Sequence, residues 1–154
     1  MKHPEGGYFR EVYRADENIE KFALPDRYMG DRSFATSIYF LLKGEEFSSF
    51  HRIKSDETWH FYLGTTLELF VLDNDGKLIR YLLGQNLESG ENLQITIPKN
   101  SWFAGRVVDK SGFALLGCTV APGFQFDDFE LAEREKLIKR FPDHQFIIQE
   151  LTIK

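Results

Sequence analysis

Short apolar runs, each closed by turn-forming residues, recur along most of this chain and constrain its fold more than any other feature. Runs of this length that are rich in aromatic and β-branched residues are typical of β-strands. The Asp-Asn-Asp-Gly segment at 73–76 is a strong hairpin signal, because Gly tolerates positive φ. The pattern predicts strands at 35–43, 47–53, 57–63, 66–72, 77–83, 93–97, 102–108 and 113–120.

The convincing helix signal lies late in the chain. Asp127 and Asp128 precede Glu130 in a capping-box pattern, and apolar residues between 131 and 141 lie near one helical face. Pro142 is expected to end this helix, and 145–151 is predicted to be a final strand. Many short strands with one C-terminal helix indicate a mainly β single domain over 1–154, either a barrel or a sandwich.

Charge and apolar content exclude several classes of partner. The 19 basic and 24 acidic residues give a net charge of −5, which provides no electrostatic reason to bind nucleic acid or an anionic membrane. No apolar run is long enough for a transmembrane helix, and the N-terminus shows no signal-peptide segment. The single cysteine, Cys118, cannot form an intramolecular disulfide, so we expect a reducing, cytoplasmic setting.

The spacing around His51 favours one barrel in particular. Gly44, His51, Glu57 and Gly64 follow the first motif of the cupin superfamily, in which Gly precedes His-x-His, Glu and a second Gly. The segment 98–103 lies where the second cupin motif is expected. The chain therefore resembles the cupins.

A narrower resemblance covers nearly the whole sequence. The segments 3–11, 50–52, 55–59, 120–124 and 127–131 resemble the Cupin_5 (DUF985) group, a cupin subfamily of unknown function. This resemblance implies a double-stranded β-helix, or jelly-roll barrel, that pairs as a homodimer. It implies no established reaction. In shape it is similar to metal-free nucleotide-sugar epimerases, which use a His–Asp pair and a Tyr.

Alternation along the strands predicts which side chains face the barrel interior. If His51 faces inward, Ser49 shares its face. On the next strand Glu57, Trp59 and Phe61 face inward, while Tyr62 faces outward. Phe103 takes the position at which the cupin pattern places its last histidine.

Metal binding is not expected. A cupin metal site usually combines three His with one Glu, but the second and third His positions here are Ile53 and Phe103. We therefore predict neither a metal nor another cofactor. The alternative is a weak metal site formed by His51, Glu57 and water.

A metal-free pocket is the favoured interpretation. His51 is the candidate general base or acid, and Glu57, or else Asp127 or Asp128, would orient it. For His51 the structural alternative is a buried histidine that a carboxylate satisfies, and for Asp128 it is a helix cap.

The remaining candidates would bind the ligand or complete the chemistry. Trp59, Phe61 and Phe103 would form apolar walls, although such residues are more often plain core. Arg52 would clamp an anion or form a surface ion pair, and Tyr39 or Tyr62 would return a proton. The adjacent Gly6 and Gly7 indicate a tight backbone course near a ligand or at a dimer contact.

These residues support three functional hypotheses. The first is a small-molecule enzyme, an isomerase or epimerase that acts on a sugar-like or nucleotide-sugar-like ligand. The second is a ligand-binding or sensing module without turnover. The third is a weak-metal enzyme that uses His51 and Glu57.

Overall fold

Two five-stranded antiparallel sheets form the body of the structure, a computed structural model that describes residues 1–153. The strands are β1 Tyr8–Arg14, β2 Asn18–Ile19, β3 Arg32–Ser33, β4 Thr36–Lys43, β5 Phe47–Ile53, β6 Asp56–Gly64, β7 Leu67–Leu72, β8 Leu78–Leu83, β9 Gln94–Ile97, β10 Trp102–Val107, β11 Phe113–Ala121 and β12 Phe129–Leu131. One sheet has the order β1-β4-β11-β6-β9, the other the order β12-β5-β10-β7-β8, and β2 pairs with β3. The mainly β jelly-roll fold predicted from the sequence is confirmed.

Two apolar clusters hold these layers together. The larger cluster fills the space between the sheets and includes Trp59, Phe61 and Phe103. The smaller one lies on the outer face of the second sheet, where Phe50 and Trp102 pack with apolar residues of the C-terminal helices. The central strands β7 and β10 of the second sheet therefore have apolar residues on both faces, and the helices cover the face that would otherwise meet water.

The C-terminal region departs from its prediction. The helices are α1 Arg134–Arg140 and α2 Gln145–Glu150, with a 3₁₀ turn at Pro142–His144 between them. The strand predicted for 145–151 is therefore wrong, because Ile147 and Ile148 pack as one face of a short helix. No helix within residues 1–153 is both long enough and apolar enough to cross a membrane.

The helix predicted from the capping box also begins later than expected. Phe126–Asp128 forms a 3₁₀ turn, and Phe129–Leu131 forms β12, which pairs with the edge of β5. Pairing with β5 satisfies the backbone N–H and C=O groups of this segment in the extended form, so the acidic residues do not cap a helix.

A bulge in β5 changes which of its residues face inward. Phe103 pairs with His51, but Gly105, two residues on, pairs with Ser48. The extra residue in β5 breaks the alternation, so both Ser48 and His51 reach the same interior carboxylate. Ser49 points the other way, and its hydroxyl accepts a hydrogen bond from the Ile153 N–H at 3.2 Å. The prediction that Ser49 shares the face of His51 is therefore wrong.

A tight turn at residues 3–7 leads the N-terminal segment into the barrel. The His3 N–H donates to the Gly7 carbonyl, and the Gly6 N–H donates to the His3 carbonyl, each at 3.0 Å. Gly6 has φ +113°, and a Cβ there would lie 2.2 Å from the Phe47 carbonyl oxygen. The glycine is therefore needed for a close approach to β5, and this approach carries Glu5 into the interior.

Candidate functional site

A small cavity opens between the two sheets at one end of the barrel. The volume open to the centres of water-sized molecules is about 90 Å³, whereas a single water needs roughly 10–15 Å³. The cavity is lined by His3, Glu5, Phe9, Glu11, Arg14, Thr36, Ile38, Phe40, His51, Ile53, Glu57, Cys118, Val120, Phe124, Gln125, Phe126 and Phe129. Most of these side chains are apolar, and the two histidines contact Glu5.

The Glu5 carboxylate is the centre of the buried polar network. Its Oε1 accepts a hydrogen bond from the Ser48 hydroxyl at 2.7 Å. Its Oε2 lies 3.0 Å from His3 Nδ1 and 3.1 Å from His51 Nε2. Burial alone would raise the pKa of Glu5, but His51, His3 and Ser48 outweigh it and leave the pKa below its ordinary value. Glu5 is therefore an ionised carboxylate although its side chain is only 6% exposed.

His51 is held between two oxygen acceptors. Nδ1 lies 2.7 Å from the Ser49 carbonyl oxygen, so it must carry a proton, and Nε2 faces Glu5. One further proton must lie between Nε2 and the carboxylate, because two lone pairs would otherwise meet. Burial lowers the pKa of His51 below its ordinary value, against the opposing charge of Glu5. The charge of Glu5 supports this proton on Nε2, so the ring donates to the ionised carboxylate.

Glu57 is the second buried carboxyl, and its environment is the opposite of that of Glu5. Burial, together with the negative charge of Glu5, raises the pKa of Glu57 to about 8. The indole N–H of Trp59 donates to Glu57 Oε1 at 3.0 Å, and Cys118 is the other hydrogen-bond partner. At neutral pH Glu57 is therefore a protonated acid, able to donate a hydrogen bond into the cavity.

Aromatic rings and one ion pair surround the cavity mouth. Phe126 is 51% exposed and stacks on His3, with ring centroids 5.8 Å apart. Arg14 donates to Glu11 and to the carbonyl oxygen of Phe124, which fixes the loop after β11 at the mouth. A ligand must pass these groups to reach the carboxyl groups inside.

The structure brings together two of the predicted site residues. His51 and Glu57 both line the cavity, although Glu57 does not orient His51, since Glu5 contacts the imidazole instead. Trp59, Phe61 and Phe103 face inward as predicted but belong to the core behind the cavity. They are not among the residues that line the cavity, which lies at one end of the barrel, and Phe103 packs on His51 at a centroid distance of 4.0 Å.

Three further candidates lie away from the cavity. Arg52 forms an exposed ion pair with Glu130, one of the alternatives expected for it. Asp128 is buried against Arg32, with two contacts of 2.6 Å, so it neither caps a helix nor reaches His51. Tyr39 is 46% exposed on the outer face of its sheet, beside Tyr62, and therefore cannot return a proton inside the barrel.

Sequence reasoning missed Glu5 and His3 as members of the site. The adjacent Gly6 and Gly7 did indicate that the backbone comes close to another part of the protein, but the sequence did not show which part. The two glycines lie close to the strands of the barrel itself, and the residue before them, Glu5, places its carboxylate inside the barrel.

Comparison with known proteins identifies the family. The sequence profile of Cupin_5, described as Cupin superfamily (DUF985), matches residues 1–132. The chain belongs to this family. A curated relative of this cupin, the uncharacterized protein YML079W of Saccharomyces cerevisiae, is 26% identical over 148 residues, which cover 90% of this chain and 73% of the relative.

Solved structures agree with this assignment. Protein SO0799 from Shewanella oneidensis has a TM-score of 0.89 at 38% identity, over 99% of this cupin and 90% of that chain. A hypothetical protein from Leishmania major also has a TM-score of 0.89, at 33% identity, over 100% and 93% of the two chains. Oxalate decarboxylase from Bacillus subtilis has a TM-score of 0.59 at 16% identity, and this cupin spans 36% of its length, so that likeness concerns the fold alone.

The donor groups of this cupin do not fit a transition-metal site. His51 and Glu57 occupy two of the expected ligand positions, but Ile53 and Phe103 are buried apolar residues with no donor atom. Both nitrogens of His51 already face oxygen acceptors. Within residues 1–153 no three His, Cys, Asp or Glu side chains are arranged to hold a metal ion.

Proposed function

We propose that this cupin is a small-molecule isomerase that moves a proton between adjacent carbons of a sugar-like hydroxy-carbonyl compound. The observation that carries the proposal is the opposite protonation of two carboxyl groups in one cavity. Glu57 is kept neutral and Glu5 is kept ionised. Environments that separate the pKa values of neighbouring acids in this way are typical of acid–base catalysis.

The proposed roles follow from these charges. Glu57 donates its proton to the carbonyl oxygen of the ligand, while Glu5 takes the hydrogen from the neighbouring carbon. The resulting enediol collapses when Glu5 returns a proton to the former carbonyl carbon and Glu57 takes the proton of the hydroxyl group on the neighbouring carbon, which becomes the new carbonyl. Three donors already contact the Glu5 carboxylate, which leaves room for one more partner among its lone pairs.

His51, the base expected from the sequence, becomes a positioning residue in this scheme. Its two nitrogens are engaged by Ser49 and Glu5, so the ring fixes the carboxylate and stabilises its charge. The exposed positions of Tyr39 and Tyr62 favour isomerisation over epimerisation. Epimerisation needs a proton delivered to the opposite face of the carbon, whereas isomerisation can use one carboxylate for both steps.

Cavity size supports a compact ligand. A volume of about 90 Å³ has room for several water molecules, and hence for a compound of a few carbons. The nucleotide of a nucleotide sugar would have to stay outside the mouth. We therefore propose free hydroxy-aldehydes and hydroxy-ketones as the substrate class.

Solvent exchange at carbon tests this proposal. Trioses, tetroses, pentoses and hexoses, each as aldose and ketose, would be incubated with the protein in D₂O after treatment with a chelator. Proton NMR would record loss of hydrogen at the carbon next to the carbonyl and the appearance of the isomer. We expect turnover of at least one compound, abolished in Glu5→Gln and in Glu57→Gln but retained in Glu130→Gln, which changes an exposed carboxyl.

Two results would contradict the proposal. Turnover that survives both Glu5→Gln and Glu57→Gln would refute the acid–base roles. Saturable binding of panel compounds with no exchange under any condition would identify a binding module without turnover.

We further propose that two copies pair through the outer face of the first sheet. Tyr39 on β4 and Tyr62 on β6 are 46% and 41% exposed there, and their rings meet edge to face with centroids 6.0 Å apart. Aromatic side chains of this kind are enriched at protein interfaces.

A further inference from the structure

A second crevice meets the cavity at the N-terminal turn. His3 and Glu5 line both the interior cavity and an open surface crevice, whose other walls include Lys2, Glu45 and Glu46. The two side chains thus lie between the cavity and a second opening to bulk water, separate from the mouth. They are also joined to each other, since His3 Nδ1 lies 3.0 Å from Glu5 Oε2.

We infer that Glu5 and His3 form a proton path that connects the interior cavity, together with the Nε2 proton of His51 on Glu5, with solvent through the crevice. Its links are the contacts of 3.1 Å and 3.0 Å on the same oxygen, Glu5 Oε2. The inference deepens the proposed function, because it gives the base a route for exchanging the hydrogen that it removes from the substrate. His3 becomes the exit group of that route.

The geometry around His3 suits a shuttle. Its Nδ1 faces two partners, the Glu5 carboxylate at 3.0 Å and the Glu5 backbone N–H at 3.5 Å. A protonated Nδ1 donates to the carboxylate, and an unprotonated Nδ1 accepts from the backbone, so the ring has a partner in either state. Phe9 and Phe126 pack against the ring and keep it in place.

The proton balance closes over one cycle. While Glu5 is ionised, Nδ1 carries the proton that it donates to the carboxylate, and Nε2 carries none. Nε2 takes a proton from water as Nδ1 gives its own to Glu5, and in the reverse transfer Glu5 returns a proton to Nδ1 while Nε2 releases one to water. The ring ends in its starting tautomer, and the hydrogen that returns to the substrate comes from solvent.

Imidazole proton exchange tests the path without any substrate. In protein with ¹⁵N-labelled histidine, NMR would measure the exchange lifetime of the His51 Nε2 proton with water. His3→Asn keeps a polar group near the position of Nδ1 but cannot carry a proton. We expect it to lengthen the lifetime about tenfold or more, as removal of a shuttling imidazole should.

A control variant and a second variant of the proton path accompany this experiment. His60→Asn, which removes a half-buried histidine bonded to Thr119 outside the cavity, should leave the lifetime unchanged. Glu5→Gln should lengthen it as His3→Asn does, and this variant decides the matter if His3→Asn does not fold. An unchanged or shorter lifetime in the folded variants would overturn the path. Because the assay contains no ligand, that failure is distinct from failure of the isomerase proposal.

Discussion

Replacement of Glu57 by Gln should make the protein more stable than the wild type at alkaline pH and nearly equal to it at acid pH. Burial and the charge of Glu5 raise the pKa of Glu57 from its ordinary 4.5 to about 8 in the folded protein. Folding therefore favours the protonated form, and stability falls as the pH rises through this window. Glutamine keeps an oxygen that can accept the Trp59 N–H but has no proton to lose.

The size of the effect follows from the two pKa values. The difference between 4.5 and about 8 corresponds to a total of about 5 kcal/mol, lost at about 1.4 kcal/mol per pH unit. Between pH 5 and pH 8 the wild type should lose about 3–4 kcal/mol relative to Glu57→Gln, and the difference should level off above pH 8.

Urea unfolding at pH 5, 6, 7 and 8, followed by tryptophan fluorescence, measures this difference directly. Glu130→Gln serves as the control, since it removes an exposed carboxyl that pairs with Arg52 on the surface. Its free energy of unfolding should change with pH in the same way as that of the wild type. Parallel curves for the wild type and Glu57→Gln would refute the claim that Glu57 is protonated at neutral pH.

Three other predictions concern the surroundings of the site. Asp128→Asn should lower the free energy of unfolding by about 3–5 kcal/mol in urea titrations, because it leaves the buried Arg32 guanidinium without its counter-charge; a loss below about 1 kcal/mol would contradict this. Trp59→Phe should shift the pH-dependent loss of protein stability caused by Glu57 to higher pH, because the indole N–H lowers the pKa of that carboxyl; if the midpoint of this pH dependence does not move, the hydrogen bond is not supported. Light scattering should give the mass of a dimer for the wild type and of a monomer for Tyr39→Glu, and a monomeric wild type would refute the proposed pairing.

The strands could be predicted because their signals are local. Apolar composition and turn residues located β4 to β11 within a residue or two, and the outward position of Tyr62 followed from alternation alone. The C-terminal strand failed because a short apolar run such as Phe146–Ile148 fits a helix as well as a strand. Only packing against the second sheet decides between them.

The site was less predictable because its geometry depends on a break in that alternation. The bulge between Ser48 and His51 turns Ser48 inward and Ser49 outward, and no residue in this stretch marks it in the sequence. Glu5 reaches the same place from more than forty positions away, so its pairing with Ser48 is a long-range contact. Local patterns therefore located His51 and Glu57 but not the carboxylate that joins them.

The apolar replacements in the cupin motif have a consequence beyond the loss of metal ligands. A metal cation would stabilise an ionised glutamate, whereas Ile53 and Phe103 supply no positive charge and no donor. Burial without a cation raises the pKa of Glu57, and Glu5 raises it further by placing a negative charge nearby. In the proposed function this protonated acid acts together with Glu5, which two histidines contact.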